Sequence, residues 1–253
     1  MEGVAEGDVG ISTAPFSPRQ AKRSRSFRNW ALGELTDLFY FLAYRAVLVA
    51  SLRKMRRMHQ ALIRRVRRSN TIFLSREEID QLIDAVQAVR KLDGDLAEVG
   101  VFEGATARLM AEASPGKPLH LFDTFEGLPY VDSFEGKVLF RKGQFKARIS
   151  AEDLRVALSC YPNVHVYKGI FPDDSGQLVE SRRFSFVHLD VDVYRRTKDC
   201  LEFFYPRMNK GGILLSHDYI LSIGVKKAFD EFFGDKAEPV IRCAGSQCMI
   251  VKV

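Results

Sequence analysis

Short apolar runs alternate with amphipathic helical stretches along most of this chain, and this alternation limits the fold more than any other feature. The strand-like runs are residues 96–101, 119–125, 164–169, 184–191 and 212–218. The helical stretches are residues 75–92, 104–113, 151–160, 194–205 and 223–233. Alternation at this spacing predicts an α/β fold with a mostly parallel sheet covered by helices on both faces. In the C-terminal segment 239–253, two apolar runs flank AGSQ and predict an antiparallel β-hairpin.

The N-terminal segment differs in composition from this α/β region. Residues 1–70 hold 14 of the 38 basic residues and 5 of the 32 acidic residues, and the whole chain has a net charge of +6. The apolar run 35–52 contains Asp37 and Arg45, so it is too interrupted for a membrane-spanning helix. We expect three parts, which are a disordered basic tail at 1–33, a basic amphipathic helical arm at 34–70, and a globular domain at 71–253.

Two uses of this arm stay open. In the first, the helix packs against the globular domain as a lid or as a dimer contact, with its arginines in solvent. In the second, residues 35–69 lie on an anionic membrane surface as a peripheral contact. The basic residues lack interleaved aromatic residues, so we expect no nucleic-acid partner.

Cysteine usage bears on the compartment of the protein. None of the four cysteines has C-x-x-C spacing, which argues against a zinc site and against a disulfide framework. The first 30 residues lack the apolar core of a signal peptide. We therefore expect a protein of the reducing cytoplasm, where any peripheral membrane contact would be at the inner face.

The turn after the first predicted strand has the character of a nucleoside-binding site. In EVGVFEG, Gly100 and Gly104 allow a ligand to approach the backbone, and the next helix offers free N–H groups at its N-terminus. Thr106 adds a hydroxyl group there. Asp123 follows Gly104 by 19 residues, close to the separation at which an acid binds a ribose diol. The G-x-x-x-G spacing differs from that of a dinucleotide site, which weighs against NAD.

Acidic side chains and one histidine follow the fourth and fifth predicted strands. HLDVDVY places Asp190 and Asp192 on one side of an extended chain, because side chains alternate along a strand. SHDY places His217 and Asp218 after the next strand. The carboxyl ends of neighbouring parallel strands meet at one edge of a sheet, so we expect these four groups to converge. Carboxylate oxygens suit a hard divalent cation, and the cluster therefore predicts a metal site.

The chain resembles the macrocin O-methyltransferase family over roughly residues 70–253, through the motifs EVGVFEG, LFDTFEGLP, KGIFP and FVHLDVDVYRRTKDCLEFFYPRMNKGGILLSHDY. These are class I, S-adenosylmethionine-dependent and magnesium-dependent enzymes that methylate sugar hydroxyls of antibiotics. The resemblance implies a Rossmann-like methyltransferase fold with a seven-stranded sheet. It also implies S-adenosylmethionine and Mg²⁺ as cofactors and a small hydroxylated, sugar-like acceptor. We further expect a homo-oligomer.

The same resemblance assigns roles to residues that match the family's motifs. Those implied to hold the methionine part of the cofactor are Glu98, Gly100, Gly104 and Thr106. Asp123 would bind the ribose of the cofactor, and Gly169 and Phe171 would lie near its adenine.

The sequence departs from the family's pattern at one position of the implied metal site. Asp190 and Asp218 are implied to be metal ligands and Asp192 the general base, but the family usually has an aspartate where this chain has His217. An imidazole ligand shifts the preference of a site from Mg²⁺ toward Mn²⁺, Fe²⁺, Co²⁺ or Zn²⁺. Three outcomes stay open: His217 ligates a softer metal, it lies behind a Mg²⁺ site that uses water, or the site is weakened.

The identity of the acceptor also stays open. The leading expectation is an O-methyltransferase that acts on a hydroxyl of a sugar or glycosylated metabolite. A catechol-like or other hydroxylated metabolite is an alternative, because two adjacent hydroxyls can chelate a metal. An alternative from another class is a degenerate, non-catalytic domain that binds a membrane surface through its basic arm. We expect residues 126–150 to form a lid over the acceptor.

Overall fold

The computed structural model describes residues 27–67, 72–132, 135 and 140–253. The chain divides into two compact units, residues 1–56 and 57–253, and each is described here by itself. Helix α1 spans Phe27–Arg67. The predicted tail at 1–33 therefore lies outside the described residues as far as position 26, and α1 begins within the rest of it. The predicted domain boundaries stay predictions.

The described side chains of the first unit include a run of exposed apolar groups. Nine large apolar residues are at least 40% exposed: Leu38, Phe39, Tyr40, Phe41, Leu42, Tyr44, Val47, Leu48 and Val49. Several of them are consecutive, so they cover more than one face of the helix. Among the helices that the structure describes, none combines the length and apolar character needed to cross a membrane.

The second unit contains a regular succession of helices and strands. Its further helices are α2 (Arg76–Ala88), α3 (Ala105–Ala113), α4 (Ala151–Ala157), α5 (Tyr194–Phe204) and α6 (Ile223–Phe233). Its strands are β1 (Asp95–Val99), β2 (Leu119–Asp123), β3 (Val164–Lys168), β4 (Phe184–Leu189), β5 (Met208–Ser216), β6 (Ile241–Arg242) and β7 (Cys248–Val251). Short 3₁₀ turns cover Gly176–Val179 and Tyr205–Arg207.

The described strands form one seven-stranded sheet in the order β3-β2-β1-β4-β5-β7-β6. The pairs from β3 to β5 are parallel, whereas β7 is antiparallel to both β5 and β6. This arrangement confirms the predicted sheet and its C-terminal hairpin. The strand order changes direction between β1 and β4, and ligands of such sheets bind at this point, outside the carboxyl ends of the strands.

Helices cover both faces of the sheet and bury two apolar cores. The first core includes residues of α2 and α3, among them Leu82 and Leu109, and also Val66 from the last turn of α1. The second core includes Phe204 from α5 and Phe229 from α6. Full burial of one such side chain stabilises the fold by about 1.5–3 kcal/mol. The sheet lies between the two cores, so their packing stabilises the strands whose ends carry the site.

Two of the described helices begin with a capping box, in which a serine and an acid three residues later satisfy each other's backbone N–H groups. The box that the sequence predicts at Ser75 and Glu78 is confirmed at the start of α2. A second box, formed by Ser150 and Asp153, starts α4. These caps fix where each helix begins and leave the N3 acid in a defined orientation.

The strand before the paired aspartates is shorter than predicted. β4 ends at Leu189, and Asp192 has a left-handed φ of 61°. The prediction that Asp190 and Asp192 share one side of an extended chain is therefore wrong. The alternation of apolar and acidic residues continues past the point where the backbone leaves the sheet, so the pattern alone does not mark the end of the strand.

Candidate active site at the carboxyl ends of the strands

A cavity of about 280 Å³ opens at the carboxyl ends of the parallel strands. Backbone hydrogen bonds continue past the strand ends and align two segments that line it. The N–H of Asp190 donates to the carbonyl of Val99 at 2.9 Å. The N–H of His217 donates to the carbonyl of Leu189, also at 2.9 Å. The predicted adjacency of β4 and β5 is confirmed, and it brings the residues after both strands into one place.

The carboxylate of Asp123 organises the turn after β1. Its Oδ2 accepts the N–H of Val101 at 2.7 Å and that of Phe102 at 2.8 Å. Its Oδ1 accepts the N–H of Phe125 at 2.6 Å. Burial raises the pKa of this carboxyl above its usual value, although the three N–H groups oppose the rise. Asp123 also lines the cavity, so it both shapes the turn and borders the cavity.

Gly100 allows this turn to approach the segment after β4. Its φ is 87°, in the region that favours glycine. A Cβ atom there would lie 2.7 Å from the carbonyl carbon of Asp190 and nearer still to its oxygen. Gly104, with a φ of 80°, is the N-cap of α3. The left-handed backbone conformation therefore favours glycine at both positions, whichever ligand the turn binds.

Strained backbone is concentrated around the cavity. The non-glycine residues with left-handed φ in the described part of the chain are Phe102, Phe125, Phe145, Asp192 and Asp218. All of them line the cavity except Phe125, which is buried and follows the lining residue Thr124. Such conformations cost about 1–3 kcal/mol each and persist where the surroundings over-determine them, which is typical of functional sites.

Asp190, His217 and Asp218 converge at the cavity. The Nδ1 atom of His217 lies 3.3 Å from Oδ1 of Asp190 and 3.1 Å from Oδ1 of Asp218. This nitrogen is buried and has no hydrogen-bond partner of acceptable geometry. Ligand atoms of the three residues lie within 4.8 Å of one another. One nitrogen and two carboxylate oxygens therefore face a common point.

The charges of this cluster depend on one another. Burial opposes a positive charge on His217, but the carboxylates of Asp190 and Asp218 outweigh it and raise its pKa to about 11. Burial alone would raise the pKa of Asp190, yet the neighbouring imidazole holds it below its usual value. Burial and the two nearby carboxylates raise the pKa of Asp192 well above its usual value. A carboxylate with a raised pKa is a stronger proton acceptor.

Glu98 forms a buried pair with a histidine on the neighbouring strand. Its Oε1 lies 2.9 Å from Nδ1 of His188, and both side chains are fully buried. Burial raises the pKa of Glu98, while His188 and the hydroxyl of Thr106 oppose the rise through hydrogen bonds. The other carboxylate oxygen, Oε2, has no hydrogen-bond partner. Glu98 therefore retains one buried acceptor atom without a partner.

The structure brings most of the predicted site residues to one cavity. Those that line it are Gly100, Asp123, Gly169, Phe171, Asp190, Asp192, His217 and Asp218. Glu98, Gly104 and Thr106 lie at the end of β1 and the start of α3 and are not part of this lining. The individual roles of all these residues stay predictions.

Two charged residues beside the cavity were not predicted as site residues. Arg196 on α5 is buried, lines the cavity, and donates to the carbonyl of Phe171 at 2.9 Å. The helical pattern of α5 could not mark it, because an arginine in an amphipathic helix is ordinarily exposed. Glu78 lies 3.4 Å from Nε2 of His217 through its Oε1. Its capping-box spacing was visible in the sequence, but its contact with a distant strand end was not.

Comparison with known families agrees with this arrangement. The macrocin-O-methyltransferase (TylF) family model matches residues 46–242. The chain belongs to this family. The match runs from within α1 to β6, and so includes every strand end that borders the cavity of this macrocin O-methyltransferase family member.

Two curated relatives of this family member come from Streptomyces. The demethyldecarbamoylnovobiocin O-methyltransferase of Streptomyces niveus is 27% identical over 169 residues, which cover 62% of this chain and 64% of that protein. The 8-demethyl-8-(2,3-dimethoxy-alpha-L-rhamnosyl)-tetracenomycin-C 4'-O-methyltransferase of Streptomyces olivaceus is 26% identical over 160 residues, covering 57% and 61%. The chain thus spans less than two thirds of the length of either relative.

Solved structures share the fold of this family member. The O-methyltransferase NovP superposes with a TM-score of 0.61 at 23% identity, over 70% of this chain and 79% of that one. The calicheamicin methyltransferase superposes with a TM-score of 0.62 at 20% identity, over 76% and 90%. At these identities the likeness shows the fold alone, and it confirms the predicted Rossmann-like methyltransferase fold.

Proposed function

We propose that this protein is an S-adenosylmethionine-dependent O-methyltransferase that methylates a hydroxyl of a sugar or glycosylated metabolite with the help of a divalent metal. One observation carries the proposal. In a chain of the macrocin O-methyltransferase family, the glycine turn with Asp123 and the cluster of Asp190, His217 and Asp218 border the same cavity. The names of the two curated relatives, which are both O-methyltransferases, support this activity.

The side chains of the cluster fit a divalent cation. The orphaned Nδ1 of His217 faces the two carboxylates of Asp190 and Asp218, which otherwise repel each other. Nitrogen and carboxylate oxygen are a donor set that Mg²⁺ accepts poorly and that Mn²⁺, Fe²⁺, Co²⁺ or Zn²⁺ accept well. These three residues would hold the metal, which when bound supplies Lewis-acid polarisation of the acceptor hydroxyl.

The turn after β1 fits the proposed methyl donor. A side chain at Gly100 would fill the space where the turn meets the segment after β4, and glycine keeps that backbone close to the cavity. Asp123 lines the cavity and offers carboxylate oxygens to a ribose. S-adenosylmethionine supplies a methyl group that is already activated as a sulfonium.

The residues of the cluster have separate tasks in the proposed reaction. The acceptor oxygen would gain the methyl group as its bond to the sulfonium sulfur breaks, with S-adenosylhomocysteine as the leaving group, and would lose its proton to a carboxylate oxygen of Asp192. Asp192 lines the same cavity as the metal cluster, which is where a proton acceptor for the bound hydroxyl is needed. The apolar lining, including Phe102, Phe145 and Phe171, limits water around the reacting atoms and holds donor and acceptor in position.

The proposal is tested by methyl transfer with a panel of glycosylated and catechol acceptors and a series of divalent metals. Asp190→Ala and Asp218→Ala are expected to abolish transfer while calorimetry still detects S-adenosylhomocysteine binding. Asp235→Ala removes an exposed carboxylate and is expected to leave transfer unchanged.

Full activity of either site variant, or full activity in excess EDTA, would refute the metal mechanism. Absence of cofactor binding by the native protein favours the non-catalytic alternative, and transfer to catechols alone contradicts a sugar acceptor.

A second proposal concerns the first unit, which we suggest contacts an anionic membrane surface peripherally. The exposed apolar residues between Leu38 and Val49 support it, because basic residues follow them along the same helix. Sedimentation with vesicles of neutral and anionic lipid tests it on the full chain. Binding that needs anionic lipid and is lost in a Phe39→Ser, Phe41→Ser variant, but not in Val156→Ser, is the expected result. Binding that none of these changes affects would contradict it.

Two further expectations extend the proposal without bearing on the chemistry. The expected homo-oligomer is tested by light scattering of the purified protein, where a monomer mass would contradict it. The cytoplasmic compartment rests on cysteine usage, and the four cysteines are free thiols in the structure.

A further inference from the structure

Glu78 has contacts that exceed those of a helix cap. It is the N3 residue of α2 and is only 5% exposed. Its Oε2 accepts the N–H of Ser75 at 2.8 Å, which completes the capping box. Its Oε1 accepts both the N–H and the hydroxyl of Ser246, each at 2.8 Å. A capping box needs only the contact between Oε2 and the N–H of Ser75. The contacts of Oε1 with Ser246 are therefore additional to the cap.

The hairpin between β6 and β7 is built closely around this carboxylate. Gly245 has a φ of 56°, and a Cβ atom there would lie 2.6 Å from Cδ of Glu78. The hydroxyl of Ser246 also accepts the N–H of Asp218 at 3.3 Å. Glu78 thus joins three parts of the fold, which are the start of α2, the C-terminal hairpin and the segment that follows β5.

The position of Glu78 bears on which nitrogen of His217 keeps its proton when a cation binds. Its Oε1 lies 3.4 Å from Nε2 of His217, and a carboxylate can only accept. Nε2 therefore directs its N–H toward Glu78, and by the same rule Nδ1, which faces Asp190 and Asp218, also carries a proton while no cation is bound. A divalent cation held by the two aspartates would displace the Nδ1 proton to solvent, because this nitrogen has no hydrogen-bond partner to hold it, while Nε2 keeps the proton that faces Glu78.

We propose that Glu78 is a positioning residue that directs Nδ1 of His217 into the metal site and so makes this site a mixed nitrogen and oxygen site. The proposal rests on the proposed function for the existence of the metal site, and it assigns His217 as a ligand. A carboxylate behind a ligand histidine fixes the orientation of the ring and increases its basicity. The site consequently prefers Mn²⁺, Co²⁺ or Zn²⁺ over Mg²⁺.

The proposal is tested with Mn²⁺ on the full-length protein, by calorimetry and by pulsed EPR, which detects coupling of the metal to a ligand nitrogen. The native protein is expected to bind Mn²⁺ and to show coupling to an imidazole ¹⁴N. In Glu78→Gln the amide can donate to Nε2, which would place the ring proton on Nδ1. We expect this variant to lose about 10–100-fold in Mn²⁺ affinity, as is typical when a partner of a ligand histidine is removed, together with the nitrogen coupling.

A matched control separates positioning from helix capping. Asp153 is the N3 acid of the capping box of α4, so Asp153→Asn makes the same chemical change at a cap that lies in another helix. It is expected to retain the native Mn²⁺ affinity and nitrogen coupling. Equal behaviour of Glu78→Gln and the native protein would overturn the proposal. If Glu78→Gln fails to fold, the EPR spectrum of the native protein is a sufficient test. Mn²⁺ that binds to the native protein without nitrogen coupling overturns the assignment of His217 as a ligand.

The outcomes also distinguish this inference from the proposed function. Neither calorimetry nor EPR requires an acceptor or a turnover. Nitrogen coupling in a protein that transfers no methyl group supports the role of Glu78 and contradicts the methyltransferase activity. Metal-dependent methyl transfer without nitrogen coupling supports the activity and overturns the role of Glu78. A native protein that binds no divalent metal contradicts both.

Discussion

Replacement of Gly100 by alanine is expected to be among the more damaging small substitutions in this protein. Two effects add at this position. A left-handed backbone costs a residue with a Cβ atom about 1–2 kcal/mol. The new methyl group would also lie 2.7 Å from the carbonyl carbon of Asp190, and overpacking of this kind costs about 1–3 kcal/mol. The sum predicts a loss of about 2–5 kcal/mol in the free energy of unfolding.

Gly116 offers a control for the backbone effect alone. Its φ is 84°, close to the 87° of Gly100, but a Cβ atom there has nothing within 4 Å. Gly116→Ala is therefore expected to lose only the backbone contribution, about 1–2 kcal/mol. The difference between the two variants isolates the contact between the glycine turn and Asp190.

Urea denaturation of both variants and the native protein measures this difference. A loss of 1 kcal/mol lowers the melting temperature of a domain of this size by about 2–4 °C, so thermal unfolding gives an independent reading. The contact also supports a proposed metal ligand, so we expect Gly100→Ala, and not Gly116→Ala, to weaken divalent metal binding. Equal losses of stability in the two alanine variants would refute the reasoning, because the close approach to Asp190 would then carry no cost.

Three further substitutions test separate parts of the site. Asp123→Asn places an amide where three N–H groups need acceptors, so it should weaken S-adenosylhomocysteine binding in calorimetry and destabilise the fold by about 1–3 kcal/mol; unchanged affinity would contradict this. Glu98→Ala leaves the fully buried His188 without its partner, and a loss of about 3–5 kcal/mol is expected in chemical denaturation. A loss below 1 kcal/mol would show that the pair contributes little. Arg196→Ala removes the donor to the carbonyl of Phe171 and should lower S-adenosylhomocysteine affinity; an unchanged dissociation constant would separate Arg196 from the cofactor site.

Much of the architecture follows from local patterns that the sequence displays directly. Each of the five strand-like runs of the α/β region became a strand, in which the backbone groups pair with neighbouring strands while the apolar side chains are buried on the sheet faces. The capping box at Ser75 and Glu78 formed as predicted, because both partners lie within one turn of helix. Adjacency of β4 and β5 also followed from alternation of strands and helices.

The details of the site depended on contacts that no local pattern contains. The turn after Leu189 places Asp192 in a left-handed conformation, so its position could not be obtained from strand periodicity. The three N–H groups that Asp123 accepts come from two different turns. The predicted cofactor roles of Glu98 and Thr106 were drawn from family resemblance, and the buried partner His188 was not anticipated.

The sequence by itself determined the order of strands and helices, the family, and the presence of a histidine at position 217, where the family resemblance leads us to expect an aspartate. These features are encoded in neighbouring residues, and they need no knowledge of what lies across the fold. Only the tertiary structure decided which way that histidine faces. Its Nε2 faces Glu78, whose carboxylate accepts from Ser246 of the hairpin, and these residues are far apart along the chain and come together only when the sheet and its hairpin are assembled.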